Sequence, residues 1–217
     1  MVAVSIFIGD VKSLPVSGRP TGMYKMRVSG AIAIGTEGFA GDRQADRRVH
    51  GGPDKAVHLY PTRHYARLAD EFPQVAASLV PGSIGENLAT DALDEDDVRV
   101  GDVWQLGTAL IQVSQPRSPC WKIDERYGCD GMAKFIAACG LTGWYWRVLR
   151  PGTVAPGDAL DLFEPAAAAP TLREAMQLCA AHRPAVHQLE RLARVPGIAG
   201  NWRDKIVQRI KWLRGEE

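Results

Sequence analysis

Cys120 closes the run Ser114-Gln-Pro-Arg-Ser-Pro-Cys, followed by Trp121 and Lys122. Pro116 and Pro119 restrict the backbone on the approach to the thiol. Arg117 and Lys122 flank it. Nearby positive charge favours thiolate over thiol, and the thiolate is both the nucleophile and the soft-metal ligand. The same run also reads as a small cysteine buried after a proline, so residue type and spacing leave catalysis, metal ligation and packing open.

A second cluster is Gly41-Asp-Arg-Gln-Ala-Asp-Arg-Arg-Val-His-Gly-Gly-Pro-Asp-Lys55. Gly51 and Gly52 after His50 let backbone N–H groups approach a ligand closely. The neighbouring arginines and lysine suit a phosphate or another anion. A surface turn with solvated charges has the same composition. A third cluster, Pro81-Gly-Ser-Ile-Gly-Glu-Asn87, holds glycines for unusual backbone conformations and an amide, Asn87, that both donates and accepts. His58 and His64 read as strand and helix residues, and Cys129, Cys139 and Cys179 as packing residues. The chain has no Ser-His-Asp arrangement, Walker loop or dinucleotide fingerprint.

These loops need a scaffold, and up to residue 164 the pattern is short β segments cut by Gly, Asp and Pro. The candidate strands are Val2–Ile8, Arg27–Ile34, Val57–Tyr60, Val98–Val100, Val103–Leu106, Leu110–Ser114, Trp144–Leu149 and Ala159–Phe163. Gly101-Asp102 and Gly157-Asp158 are turn pairs. Many short strands with close turns predict a mainly β, barrel-like fold over residues 1–164. Two helices interrupt it. One opens at Pro61 and runs to Glu71; the other follows an Asp130 cap and places Met132, Phe135, Ile136 and Cys139 on one stripe. Residues 165–170, an alanine run between prolines, read as a linker. Residues 171–217 read as a three-helix module: Thr171 and Glu174 form a capping box, Pro184 starts a second helix, and a third carries Trp202, Ile206, Ile210 and Leu213.

The 217 residues fit one sizeable domain with an appendage. The chain is 46% hydrophobic and 24% charged, as ordinary globular proteins are. Its net charge of +1 gives no global pull toward nucleic acid or anionic membrane. The tail is more basic, with nine Lys and Arg against five Asp and Glu in 171–217. Its face around Arg203, Lys205, Arg209 and Lys211 is a candidate docking face for an acidic partner; packing a homodimer or covering apolar barrel surface would serve equally. No apolar run approaches the roughly 18 residues of a membrane span, and Met1–Gly9 lacks the marks of a signal peptide. Four cysteines without a C-x-x-C pattern then fit reduced thiols in the cytoplasm. Neither a membrane nor pyridoxal phosphate is an expected partner, and nucleic acid is disfavoured.

Taken together, His50-Gly-Gly-Pro-Asp-Lys-Ala56, Gly85-Glu-Asn87 and Ser114-Gln-Pro-Arg-Ser-Pro-Cys120 resemble the MOSC family, and in particular a bacterial branch that also carries a helical tail. The resemblance covers nearly the whole chain. It implies a barrel-like β fold that binds the molybdenum cofactor, Mo-molybdopterin, with Cys120 as the metal ligand. It further implies reduction of N-hydroxylated compounds such as hydroxylamino purines to the amines, a detoxifying activity. Because other members handle sulfur on the cofactor, a carrier or sulfur-handling protein without organic turnover is the rival. On this reading Lys25, Arg117, Ser118, Lys122 and the His50-Gly51-Gly52 loop are the candidate phosphate binders, and Asn87 the candidate for the pterin edge. His50, with an ordinary pKa near neutrality, is the candidate proton donor. No flavin, haem or iron–sulfur motif is present, so electrons would come from an external reductase.

Overall fold

The computed structural model describes residues 2–47 and 51–216. Its strands are β1 (Val2–Ala3), β2 (Ser5–Ile8), β3 (Lys12–Ser13), β4 (Pro20–Thr21), β5 (Met26–Arg27), β6 (Ile32–Gly35) and β7 (Gly38–Phe39), followed by β8 (Val57–Pro61), β9 (Leu88–Thr90), β10 (Val103–Leu106), β11 (Ala109–Pro116), β12 (Trp144–Arg150), β13 (Gly152–Val154) and β14 (Ala159–Glu164). The helices are α1 (Arg63–Glu71), α2 (Lys122–Tyr127), α3 (Met132–Cys139), α4 (Leu172–Ala180), α5 (Val186–Ala193) and α6 (Gly200–Arg214).

Nine strands form one mixed sheet in the order β1-β14-β10-β11-β12-β8-β9-β2-β5. Every pair is antiparallel except β8 and β9. The expected barrel is therefore corrected to a mixed sheet with helices against it, not closed by a continuous ladder. The reason lies in the first strand segment. β1 pairs with β14 at one end and β2 pairs with β9 near the other, with Val4 between them. One segment of chain thus reaches both ends of the sheet without a ladder joining them.

Period-two alternation sorts the central strands. In β8, Val57 and Leu59 enter the main core while His58 and Tyr60 point to the other face. In β12, Trp144, Trp146 and Val148 join that core, leaving Tyr145 and Arg147 on the opposite side. Trp146 stacks edge-on against both Trp104 and Trp144, with ring centroids 6.3 and 5.9 Å apart. A second apolar cluster, with Tyr60, Leu68, Ile84, Ile123 and Ile136, lies under α1, α2 and α3.

Several local expectations change. Pro61 ends β8, opposite Thr90, and the helix starts two residues later. Val98–Val100 is not a strand; only Arg99 bridges, to Thr171, because the segment ties the start of α4 to the sheet. Strand Arg27–Ile34 breaks into the ends of β5 and β6. Asp130 does not cap α3. The cap position is Gly131, with φ of 92°, and the Asp124 carboxylate accepts from the N–H groups of Gly131 and Ala133. α2 itself had no sequence signal. The Thr171–Glu174 capping box is present as expected.

The three tail helices share the sheet's core: Leu172, Ala175, Leu189, Leu192, Ile206 and Ile210 belong to the cluster that holds Ile111 and Trp146. The alanine run is pinned too, since Ala166 N donates to Asp102 Oδ1 at 2.7 Å and Arg99 donates to Ala169 O at 2.6 Å. No helix among the described residues is long and apolar enough to cross a membrane.

Candidate functional site

β11, β12 and β8 are neighbours in the sheet and bring three polar side chains into one row. Tyr145 pairs with Gln115 on one side and His58 on the other. A bulge at Ser114 makes this possible. Val113 pairs with Trp146 and Gln115 with Tyr145, so Ser114 is the extra residue, and Gln115 turns to the same side as Tyr145. The His58 and Tyr145 rings lie 5.4 Å apart, and Lys55 Nζ sits 6.0 Å from the Tyr145 ring centre.

The chain then leaves β11 as the loop to Cys120. Arg117 is buried where it starts. Its N–H donates to Gly143 O at 3.0 Å and its Nη2 to Ile84 O at 3.2 Å. Gly143 must be glycine here. Its φ is 62°, and a Cβ would stand 2.2 Å from Leu59 O. Ile84 is held in turn by Glu86, a fully buried carboxylate that accepts from Ile84 N, Gly82 N and the Tyr65 hydroxyl. Burial pushes the Glu86 carboxyl above the usual range.

Two hollows have Cys120 in a shared wall. The inner recess, about 70 Å³, is lined by Lys25, His58, Ile84, Asn87, Arg117 and Cys120 among others. The outer cleft, about 760 Å³, is lined by Lys55, Ser118, Cys120, Lys122, Tyr145 and part of α6. Cys120, Lys122, Lys55 and Tyr145 belong to both. Arg117 Nη1 and His58 Nε2 are buried without a hydrogen-bond partner among the described residues. Such orphans carry a desolvation cost unless a ligand meets them. His58 is held neutral: burial lowers its pKa well below 6.5, and the Arg117 cation lowers it further.

The structure therefore gathers Lys25, Asn87, Arg117, Ser118, Cys120 and Lys122 around these hollows, each in a different state. Lys25 Nζ is paired with Asp42 at 2.5 Å, side chains 4% and 1% exposed. Burial lowers the Lys25 pKa, and Asp42 opposes that shift. Both amide protons of Asn87 are committed within the protein, to Phe7 O and Asp42, and its oxygen accepts from His58 N. A pterin edge would meet only the remaining lone pair. Lys122 donates to Pro20 O at 2.7 Å, and Ser118 is exposed at the cleft. Gly51 and Gly52 do not line either hollow; Gly52 O receives Lys55 N and opens a 3-10 turn over Pro53–Lys55. His50 lies outside the described residues.

Sequence reasoning did not place His58, Tyr145 or the α6 residues at the site; Lys55 stood in the second cluster as the lysine suited to an anion. The alternation of β8 and β12 was visible, but not which face would stay uncovered. For α6 there was no signal, because its approach depends on tertiary contacts. Of the proposed basic docking face, Arg209 is turned onto the carbonyls of Cys179 and Ala181, and Lys205 lines the cleft.

Residues 46–161, which include Lys55, His58, Arg117, Cys120 and Tyr145, match the model of the MOSC domain. The chain belongs to the MOSC family. It is 38% identical over 200 residues to Protein YiiM of Escherichia coli (strain K12), covering 92% of this chain and 88% of that one. The crystal structure of YiiM from Escherichia coli is similar, with a TM-score of 0.82 at 32% identity over 99% of this chain and 93% of that one. A protein of Gibberella moniliformis (strain M3125 / FGSC 7600) named Reductase is 33% identical over 165 residues, which are 75% of this chain and 29% of that protein.

MOSC domains are associated with the molybdenum cofactor, and the residues present fit such a group. The recess offers a guanidinium nitrogen and an imidazole nitrogen that have no hydrogen-bond partner among the described residues, next to a half-buried thiol. Among the described residues, no three His, Cys, Asp or Glu side chains cluster to hold a metal ion. A metal would take one ligand from the chain, Cys120, and the others from the group that brings it.

Proposed function

We propose that this MOSC protein is a molybdenum-cofactor-dependent reductase of N-hydroxylated compounds such as hydroxylamino purines. The overall reaction is R–NHOH + 2e⁻ + 2H⁺ → R–NH₂ + H₂O, with the electrons supplied by an external reductase. The observation that carries the reading is Cys120 at the junction of a small polar recess and a larger open cleft. The recess suits part of a bound cofactor; the cleft leaves room for a second molecule beside it. That second space favours turnover over the rival reading, a cofactor carrier or sulfur-handling protein. The fungal relative's name, Reductase, supports the same class.

When bound, the cofactor would supply a metal able to accept an oxygen atom and pass two electrons. The chain's own residues do the rest. Cys120 provides the thiolate ligand. Arg117, buried and held by Ile84 O, offers Nη1 to an anionic group. Neutral His58 offers a hydrogen bond without adding charge. Tyr145, whose pKa burial raises, keeps its hydroxyl proton at neutral pH and remains a donor. Lys122 and Lys55 keep the mouth cationic.

The test is protein made in cells that synthesise the cofactor. Molybdenum and pterin near one per chain, with reductant-driven conversion of 6-hydroxylaminopurine to adenine, are the expected results. Stoichiometric cofactor with no conversion of any N-hydroxylated compound would leave the carrier reading standing instead.

A further inference from the structure

Trp121 follows Cys120 in the chain, and both line the outer cleft. The indole is 46% exposed. Leaving that much apolar surface in water beside a thiol forgoes burial that a ligand lying on it would recover. Tyr145 and Trp202 line the same cleft, so three aromatic side chains gather at one opening. Single exposed aromatics scattered over a surface need no explanation, but a group of them around one hollow marks a binding surface.

The ring of Trp121 is held in place before anything binds. Trp121 occupies the cap position of α2, and its carbonyl accepts from Glu125 N at 3.2 Å. The Arg19 guanidinium lies over the indole, 5.7 Å from the ring centre. The β3–β4 hairpin places Arg19 there, and the tip of that hairpin is fastened to α2. Val16 N and Ser17 N both donate to Glu125 Oε1, at 3.0 and 2.6 Å, and Lys122 Nζ donates to Pro20 O at 2.7 Å. Leu14, 2% exposed, anchors the hairpin, and its N–H donates to Arg19 O at 2.9 Å. Hairpin, helix and Cys120 loop thus fix one Arg–Trp pair in the wall of the cleft. A surface ordered in advance costs a ligand less to bind.

Another part of the wall comes from outside the matched MOSC domain: Asn201 and Trp202 at the start of α6. Ala199 N donates to O of the bulge residue Ser114, and Gly200 N donates to Asp54 Oδ2, both at 2.9 Å. This wall is therefore tied to the strand that leads to Cys120. A cleft of about 760 Å³ has room for a fused ring system. Stacking on an indole rewards a conjugated ring whatever its edge groups, and gives a saturated ring or chain no such gain. An anion would need the cleft's cations but not its rings. Neighbouring Cα atoms stand about 3.8 Å apart, so a ring lying on Trp121 is close to the thiol, and an N–OH carried directly on that ring needs no spacer. We propose that Trp121, under the Arg19 guanidinium, is the stacking platform of the outer cleft and the residue that selects flat, conjugated N-hydroxylamino rings over aliphatic hydroxylamines. The selection rests on the reductase reading above; the stacking of a flat ring does not.

Calorimetric titration of the cofactor-containing protein with adenine, a flat ring without an N–OH group, tests the platform in wild type, Trp121→Ala and Trp121→Phe. The kcat/KM values for 6-hydroxylaminopurine and for N-cyclohexylhydroxylamine in the same proteins test the selection. Trp121 is half-exposed and caps α2 without a side-chain bond, so both variants should fold, and melting curves check this. Trp121→Ala is expected to weaken adenine binding about ten-fold, with Trp121→Phe within about three-fold of wild type. The ratio of the two kcat/KM values should fall by a similar factor in Trp121→Ala, with molybdenum content equal to wild type. Adenine affinity indifferent to Trp121→Ala, or no measurable adenine binding to the wild type, would overturn the proposal. So would an equal loss for both N–OH compounds, which would make Trp121 a packing residue, or a loss of molybdenum, which would assign the ring to the cofactor. Adenine binding that depends on Trp121 in a protein that reduces no N–OH compound would refute only the reductase reading; reduction of hydroxylaminopurine indifferent to Trp121 would refute only this one.

Discussion

Two residues, Ser118 and Pro119, separate a buried cation from a half-buried thiol, and the two should respond differently to substitution. Cys120→Ala removes a small side chain at the edge of the cleft. The expected result is loss of bound molybdenum and of activity with a stability change within about 0.5 kcal/mol, as for surface changes that break no packing. Metal analysis beside a melting curve checks it. Arg117→Ala instead removes a buried guanidinium that supports both the recess and the Ile84 loop. Cofactor retention should weaken about ten-fold or more, equivalent to ~1.4 kcal/mol, and here stability should fall as well. Cofactor content after extended dialysis is the readout. His58 allows a pH test. Its folded pKa lies well below 6.5 because burial and Arg117 disfavour the charged ring. The unfolded chain therefore binds a proton that the folded one refuses, and stability is lost as pH falls below about 6.5. One such group contributes a slope of up to about 1.4 kcal/mol per pH unit. Urea unfolding at pH 7.5 and 5.5 should show a smaller acid loss in His58→Gln; identical losses would sink this account.

At the scale of elements, Glu95 ties together parts far apart in the chain. Its carboxylate meets His64 of α1 at 2.8 Å, accepts from Gly143 N at 2.7 Å and lies 3.5 Å from Arg173 of α4. Glu95→Ala leaves His64 and Gly143 N buried without it, while Arg173 keeps Asp96 and the carbonyls of Cys139 and Gly140. A loss of about 3–5 kcal/mol is expected, or a Tm drop of roughly 6–20 °C for a chain of this size. Thermal melting measures it, and a drop below 3 °C would show that His64 and Gly143 N find other partners. Much at this scale was legible. Thr171 and Glu174 announced α4 because capping is local chemistry, and Trp144–Leu149 read as a strand because its residues are β-branched, aromatic and long. The bulge at Ser114 was not legible, since nothing in Val113-Ser-Gln115 distinguishes a bulge from regular alternation. Asp124, capping a helix that begins eight residues later, is equally a product of tertiary placement. Cys120 and Arg117 could be found from one loop, and Lys55 stood in a run already grouped with it; His58 and Tyr145 could not be added until the pairing of β8, β12 and β11 was known.

Across the whole molecule, the tail and the sheet depend on one another. Leu172, Leu189, Leu192, Ile206 and Ile210 are buried in the sheet's own core cluster. A chain ending at residue 170 would expose the apolar surface that they cover, far more than monomers tolerate. It should bind a hydrophobic dye, aggregate and lose sharp melting, even though the matched domain ends at 161. A soluble, cooperatively melting 1–170 fragment would contradict this.

The first strand segment also sets an order of events during synthesis. Val2 pairs with Leu160 and Ser5 with Ala89. On the ribosome, the residues of β1 and β2 must wait for the last strand of the sheet before both of their edges are occupied. Contacts so distant in sequence form slowly, because a long loop must close before they give any return. Until residue 164 has left the exit tunnel, the nascent chain carries unpaired strand edges that could join those of a neighbour on the same message. Slow translation should therefore hurt the yield of folded protein, and a chaperone that shields early strands should restore it.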